Sequence, residues 1–163
     1  MAKYQFRGLE EYARYLQKVG ANTPEICGKV VYAMADIVAD QVRENLSKLP
    51  VVTEAEALAS YREKDMTELT SAQKKGLEKG FGISPMQNDN GYWNVKLGFD
   101  GYNKVKTKKY PNGQPNVMIA RATESGSSVR KKNPFVRRAV NATQKQAVEK
   151  GKQVADEEIA KIK

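Results

Sequence analysis

The stretch TPEICGKVVYAMADIVADQVRENLSKLP, residues Thr23–Pro50, decides the fold class. Its apolar residues Ile26, Val30, Met34, Ile37, Val38, Val42, Leu46 and Leu49 recur at steps of three and four. That spacing traces one stripe along a helix of about seven turns at 3.6 residues per turn. Thr23 reads as the N-cap, Pro24 as a proline at the first helical position, and Glu25 as an acid near the positive end of the helix dipole. Upstream, Leu9, Tyr12, Ala13, Leu16 and Val19 also keep helical spacing, and Gly20 stops that shorter helix.

Downstream of Pro50 the patterns shorten. Val51 to Lys64 is rich in alanine and glutamate and reads as a helix, a bent continuation or a loop. Leu69 to Gly80 reads as a capped short helix closed by its glycine, after which Phe81-Gly82-Ile83-Ser84-Pro85 turns the chain. Asp89-Asn90-Gly91 is a turn signal. Tyr92 to Phe99 then alternates as a half-buried strand, with Trp93, Val95 and Leu97 on one face and Tyr92 on the other. Lys104 to Asn116 carries two prolines, a glycine and four lysines, the composition of an exposed loop. Val117 to Glu124 reads as a second strand, or a strand running into a short helix. Asn133-Pro134 opens the last helix with a cap and an N1 proline, and its stripe is Val136, Val140, Thr143, Ala147, Val154 and Ile159, interrupted by Gly151.

This order predicts an α+β fold, with long N-terminal helices and a C-terminal helix packed on a small antiparallel sheet. A sheet of so few strands cannot stand alone in water, so its apolar face must rest on the long helix and the last one. The 163 residues form one domain (1–163), with a mobile insert at about 51–87 and a mobile basic loop at about 104–116 as expectations.

Composition narrows the chemistry. A single cysteine, Cys27, and the absence of histidine remove disulfide frameworks, multi-cysteine zinc sites and the Ser-His-Asp and Cys-His nucleophile systems. There is no P-loop, the carboxylates show no metal-binding spacing, and Gly80-Phe81-Gly82 is too short to cradle phosphate. The expectation is a protein with no catalytic residues, no metal and no cofactor. No stretch reaches the roughly 20 apolar residues of a membrane helix, and Met1 to Arg7 lacks the apolar region of a secretory signal, so assembly in a cytoplasm and no membrane partner are expected.

The net charge of +9 is localised. Between Lys96 and Arg138 the cations are Lys96, Lys104, Lys106, Lys108, Lys109, Arg121, Arg130, Lys131, Lys132, Arg137 and Arg138, opposed only by Asp100 and Glu124. This window holds the entire excess, and such a surface calls for an acidic partner, nucleic acid or an acidic protein face. Each candidate also has a plainer reading. Lys104, Lys106, Lys108 and Lys109 serve solubility as readily as phosphate binding. Arg121, Arg130, Lys131, Lys132, Arg137 and Arg138 fit a carboxylate on a neighbouring subunit as well as DNA. Phe135 is either a docking wedge or a plug in its own core, and Glu124 is read as a partner for a nearby arginine. Tyr92, Trp93, Phe99 and Tyr102 read as sheet core in preference to a base-stacking platform.

Five ordered motifs carry a resemblance. They are Gly82-Ile83-Ser84-Pro85-Met86; Gly98-Phe99-Asp100-Gly101-Tyr102-Asn103; Lys109-Tyr110-Pro111-Asn112-Gly113-Gln114-Pro115-Asn116; Ala120-Arg121 with Glu124-Ser125-Gly126-Ser127; and Asn133-Pro134-Phe135-Val136-Arg137-Arg138-Ala139. Together they resemble the siphophage tail-component family typified by gene product ten of phage HK-ninety-seven. The resemblance implies a virion protein of tail completion or head-to-tail joining, acting in a homo-oligomeric ring, sixfold by expectation, between tail-tube and head-connector proteins. It places the protein at the head-tail junction of the virion, with non-specific DNA contact in the lumen. This chain departs from the family's glycine-threonine pair at Gly126-Ser127 and in the length of Val51 to Gln87. The charge alone would point instead to a basic nucleic-acid-binding protein.

Overall fold

The computed structural model describes residues 9–162, with side chains from residue 11 onward. Helix α1 (Leu9–Ser47) runs without a break through Gly20 and Pro24. The expected stop at Gly20 and N-cap at Thr23 are therefore corrected to one helix. Thr23 Oγ1 donates back to the Val19 carbonyl at 3.1 Å, and Asn22 Nδ2 to the Lys18 carbonyl at 2.8 Å. Side chains that bond backward to the preceding turn do not cap forward. Pro24 offers no N–H, so the Gly20 carbonyl loses its helical donor, but both residues are exposed and water can serve it.

After α1 come β1 (Val51–Val52), α2 (Glu54–Arg62), β2 (Leu69–Thr70), α3 (Ser71–Gly80), β3 (Phe81–Ile83), β4 (Gln87–Asp89), β5 (Tyr92–Asn94), β6 (Leu97–Phe99), α4 (Asn116–Ser125) and α5 (Phe135–Ala160). The class is α+β, as expected, but the strands are shorter and differently paired. β1 and β2 run parallel, Val51 opposite Leu69, with α2 between them. β3 and β6 are antiparallel, Phe81 opposite Phe99, so Phe81 to Ile83 is strand rather than turn. β4 and β5 form a hairpin across Asn90 and Gly91, both at positive φ (56° and 91°), the backbone that a two-residue turn needs. Tyr92 to Phe99 is thus two strands of different sheets. Val117 to Glu124 lies within α4, not in a strand. Glycine at positive φ (78°) follows as its C-cap, Gly126.

Helices α1 and α5 lie antiparallel. Asn45 Nδ2 donates to the Phe135 carbonyl, Gly151 sits against Met34 and Val30, and Lys29 pairs with Glu158. The seam is small-residued: Ala35 and Ala39 on α1, and Ala139, Thr143, Ala147 and Gly151 on α5 are buried. Thr143 and Ala147 of the expected α5 stripe lie in the seam itself, Val42, Leu46 and Leu49 of the α1 stripe are buried at one end of it, and Val140 is 39% exposed. Small side chains let the two backbones approach, and their larger neighbours close the sides. Gly151 is a contact point rather than an interruption: a Cβ there would stand 2.6 Å from Met34 Sδ.

The apolar core gathers at one end of this pair, where Val42, Leu46 and Leu49 of α1 meet Leu69, Leu77, Ile119, Ala120, Phe135 and Ala139. Phe99 bridges Phe81 (5.0 Å between centroids) and Phe135 (5.8 Å, edge-on). Leu69 and Leu77 are fully buried. Within residues 51–87, Leu69 and Leu77 belong to the core and Phe81 packs against it, whereas α2 has no buried residue. Lys74 of α3 donates to the Ser47 and Leu49 carbonyls, capping α1 from outside its own sequence. No helix among the described residues is long and apolar enough to cross a membrane.

Candidate functional site

The basic window folds around α3 and α4, and its geometry begins with glycines. A Cβ on Gly76 would meet Asn116 Oδ1 at 2.7 Å and Asn103 Cβ at 2.5 Å. One on Gly80 would meet Asn116 Nδ2 at 2.6 Å and drive into the Asp100 carbonyl. One on Gly113 would drive into the Asn103 carbonyl, and Gly113 already holds φ at +114°. Backbone comes this close only where no side chain intervenes. Gly80 was expected to end its helix; it does so while its missing side chain makes room for α4.

Hydrogen bonds then tie the cleared backbones together. Asn116 Nδ2 donates to the Asp100 carbonyl (2.8 Å) and its N–H to Gly101; Asp100 N–H donates to Gly80, and Asn103 N–H to Gln114. Asn103 and Asn116 are both only 3% exposed. Among the described residues the buried side-chain atoms without a hydrogen-bond partner are Asn103 Nδ2 and Asn116 Oδ1, a donor and an acceptor in the same knot.

Out of this knot rises residues 104–113, a finger clamped at its base by the Tyr102 and Pro115 bridge and by Asn103 N–H on Gln114. Thr107 and Tyr110 exchange backbone hydrogen bonds (3.1 and 3.0 Å) across its tip. Val105 and Tyr110 are half-buried, and the Tyr110 hydroxyl reaches Met118 Sδ at 3.2 Å. Lys104, Lys106, Lys108 and Lys109 are all exposed. Lys109 Nζ lies 5.5 Å from the Tyr110 ring centre.

The other candidates divide. Arg121 is exposed on α4, Lys131 and Lys132 on the connector to α5, and Arg137 and Arg138 in the first turn of α5. The connector is itself fixed: Thr67 N–H donates to Val129, Lys131 N–H to Thr67, and Asn133 N–H to Thr123. Arg130 is not a surface residue. At 7% exposure its guanidinium donates to the Glu68 carbonyl and, at 2.8 Å, to Gln73 Oε1. Burial pulls its pKa down, and the charge of Glu68 opposes this. Gln73 also accepts from Thr70 N–H in a capping box and donates to Gln114, so Arg130 is wired into the base of the finger.

Phe135 is 1% exposed and plugs the core, which excludes the docking wedge. Glu124 does not pair with an arginine. Its two carboxylate oxygens accept from the Val136 and Arg137 backbone N–H groups, at 2.9 and 3.0 Å, and cap α5. The expected cap, Asn133, makes no cap bond; its Oδ1 accepts from Arg138 instead. A carboxylate satisfies two orphan donors and complements the dipole, which one amide oxygen does not. The aromatic candidates do not assemble. Tyr92 and Tyr102 are 73% and 69% exposed, Trp93 is half-buried on the hairpin, and Phe99 belongs to the core.

Electrostatically the site stands apart. Ion pairs among the described residues join Lys29 to Glu25 and Glu158, Arg43 to Asp40, Lys48 to Glu44, Lys152 to Glu149 and Lys161 to Glu158. None of them involves a cation between Lys96 and Arg138. The one nearby carboxylate on α4, Glu124, is committed to α5. The surface therefore presents uncompensated positive charge on segments whose backbones are held. No protein-family model, no curated protein and no solved structure matches this chain.

Proposed function

We propose that this chain is a structural subunit of a tailed-bacteriophage virion, one copy in a ring at the head-tail junction, acting in tail completion or head-to-tail joining by assembly rather than catalysis. The observation that carries the reading is the convergence of the motifs on which the resemblance rests. Asp100, Gly101 and Asn103 of one motif meet Gly113, Gln114 and Asn116 of another. Glu124 of the next motif caps the helix that Asn133 to Ala139 begins. The motifs that carry the resemblance thus lie against one another in one fold, which supports the reading.

Light scattering of the purified protein over a range of concentrations, at moderate salt, tests the reading. A discrete ring, or one that forms when tail-tube or connector protein is added, supports it. A species that stays monomeric with those partners overturns it. The assembly scheme has segments within 51–87 and 104–116 order when a neighbour arrives, and α2, which has no buried residue, is the part of the first best suited to it; equal protease sensitivity there in free and assembled protein would exclude that role.

A second reading, a basic nucleic-acid-binding protein acting as a monomer or dimer, is favoured by the unpaired cations of the 96–138 window. Salt separates the two, because phosphate contacts release counterions and weaken steeply with ionic strength.

A further inference from the structure

We infer that the finger 104–113 is a sequence-independent contact for the phosphate backbone of duplex DNA. The inference rests on the nucleic-acid reading of the 96–138 window, which it narrows to one element and one mode of contact, and not on ring assembly.

Three observations carry it. The first is posture. The base of the finger is closed by the Tyr102 and Pro115 bridge and its tip by the Thr107 and Tyr110 pair. Val105 and Tyr110 face inward, so the lysines are held outward before any ligand arrives. Preorganisation of this kind lowers the ordering cost of binding.

The second is charge. From Lys104 to Asn116 the sequence holds no acid. The four lysines make no ion pair, whereas lysines 29, 48, 152 and 161, on the helices or at their ends, do.

The third is residue type, and it decides between partners. Protein interfaces are depleted in lysine and enriched in aromatic residues and arginine. Every cation on the finger is lysine, its aromatic ring is turned inward, and the exposed tip adds only polar or small residues. Lysine is a compact, hydrated point charge on a flexible stem. That suits phosphates whose positions vary with sequence and register, and suits poorly the fixed bidentate geometry of an acidic protein face. With no exposed aromatic ring and no arginine fork, the finger carries nothing that would read base edges.

The test uses the full-length chain. Fluorescence anisotropy with a labelled duplex of mixed sequence, repeated across a salt series, compares three proteins. They are the wild type, the finger variant K104Q/K106Q/K108Q/K109Q, and a charge-matched variant K75Q/K79Q/K145Q/K152Q whose changes all fall at exposed helical positions. Circular dichroism confirms that each is folded. The wild type is expected to bind two unrelated duplexes alike. If all four lysines contact phosphate, the finger variant should lose about 3.6 from the slope of log affinity against log salt, at about 0.9 per contact. The charge-matched variant should keep the wild-type slope. Equal losses in both variants would mean that net charge alone drives binding and would overturn the inference. So would a wild type that ignores DNA yet binds polyglutamate through the finger, which would assign the finger to an acidic protein partner.

Discussion

The two ends of the molecule are built on opposite principles. The α1–α5 pair is joined by a seam of small side chains and dressed with exposed ion pairs, and most of its surface is open. The knot between α3 and α4 is joined by buried amides, glycines with no room to spare and a buried arginine, and among the described residues its surface cations make no ion pair. A helical seam tolerates change because each contact is one of many similar ones along a repeat. A knot does not, since each hydrogen bond there compensates a specific buried group and each glycine clears a specific carbonyl. Rigidity where the basic surface is mounted, and latitude along the helical stem, is the arrangement expected of a part that presents charge from a fixed position.

Phe135 lies where the two regions meet, and its removal should be the most damaging change. Phe135→Ala is expected to cost about 3–5 kcal/mol in denaturant unfolding, because a fully buried ring that abuts Phe99 leaves a cavity the surroundings cannot fill. Tyr102→Ala, at an aromatic position 69% exposed, should stay within about 0.5 kcal/mol. A mild Phe135 effect would mean that the core is looser than its burial implies.

Two glycines, both inside helices, sharpen the contrast by moving in opposite directions. Gly80→Ala pushes a methyl into the Asp100 carbonyl and Asn116 and should destabilise by at least about 1–3 kcal/mol, the usual scale of overpacking. Gly20→Ala has nothing within 4 Å and should stabilise by up to about 1 kcal/mol through helix propensity. Thermal melts of the two variants giving the same sign would break the comparison.

How far the fold was legible follows the same division. The helices α1 and α5 announce themselves by period, because a stripe repeated over many turns outweighs any single residue. The breaks read at Gly20 and Thr23 failed for that reason: they are local preferences, and the side chains of Asn22 and Thr23 bond backward along the helix instead. The α5 stripe included Thr143 and Ala147 of the seam, but hydropathy passed over Ala35, Ala39 and Ala139, which are buried there too. Val117-Met118-Ile119 resembles a strand in isolation, and only the packing of Ile119, Ala120 and Thr123 against their neighbours makes it helical. Strands two or three residues long fall below the reach of any periodicity. The basic window was visible as charge, but not which of its members were buried. Arg130 carries no mark in sequence that distinguishes it from Lys131. Capping shows the boundary well: the boxes at Thr53 with Glu56 and Thr70 with Gln73 are local patterns, whereas Glu124 reaches α5 across the connector and no local pattern announces it.

That reach makes Glu124 the next point at which the comparison can be tested. Glu124→Ala should cost about 0.5–2 kcal/mol, the range of a lost helix cap, and should loosen the amides of Val136 and Arg137 in hydrogen exchange. Glu124→Gln keeps an acceptor but loses the charge at the dipole and should fall between the two. If Glu124→Ala were silent, the start of α5 would be held by the connector's own backbone bonds, Asn133 to Thr123 among them.

The smallest expected effect is one of pH, and it should fall on the helix pair only. Lys29, hydrogen-bonded to Glu158 and Glu25, has its pKa pushed up to about 12. Glu158 is lowered from its ordinary 4.5 by Lys161 first and then Lys29. For a lysine raised on folding, the stabilising contribution is present below its unfolded pKa and disappears as pH climbs through the folded one. For a carboxylate lowered on folding it is present above the unfolded pKa and disappears as pH falls through the depressed one. The clamp between α1 and the end of α5 is therefore complete from the upper end of the carboxylate range to the alkaline limit set by Lys29, and acid is the accessible way to open it. Hydrogen exchange should then show the last turns of α5, around Glu157 to Ala160, losing protection as the solution is acidified below the ordinary carboxylate range. The amides of Asn103 and Asn116 should hold, because their partners, Gln114 and Gly101, do not titrate. Because Lys29 is half in solvent, screening keeps the effect local and small, and raising the salt at neutral pH should reproduce part of it. Loss of protection in the knot at the same pH as in α5 would show that the two regions unfold as one unit, and the division drawn between them would then describe composition rather than mechanics.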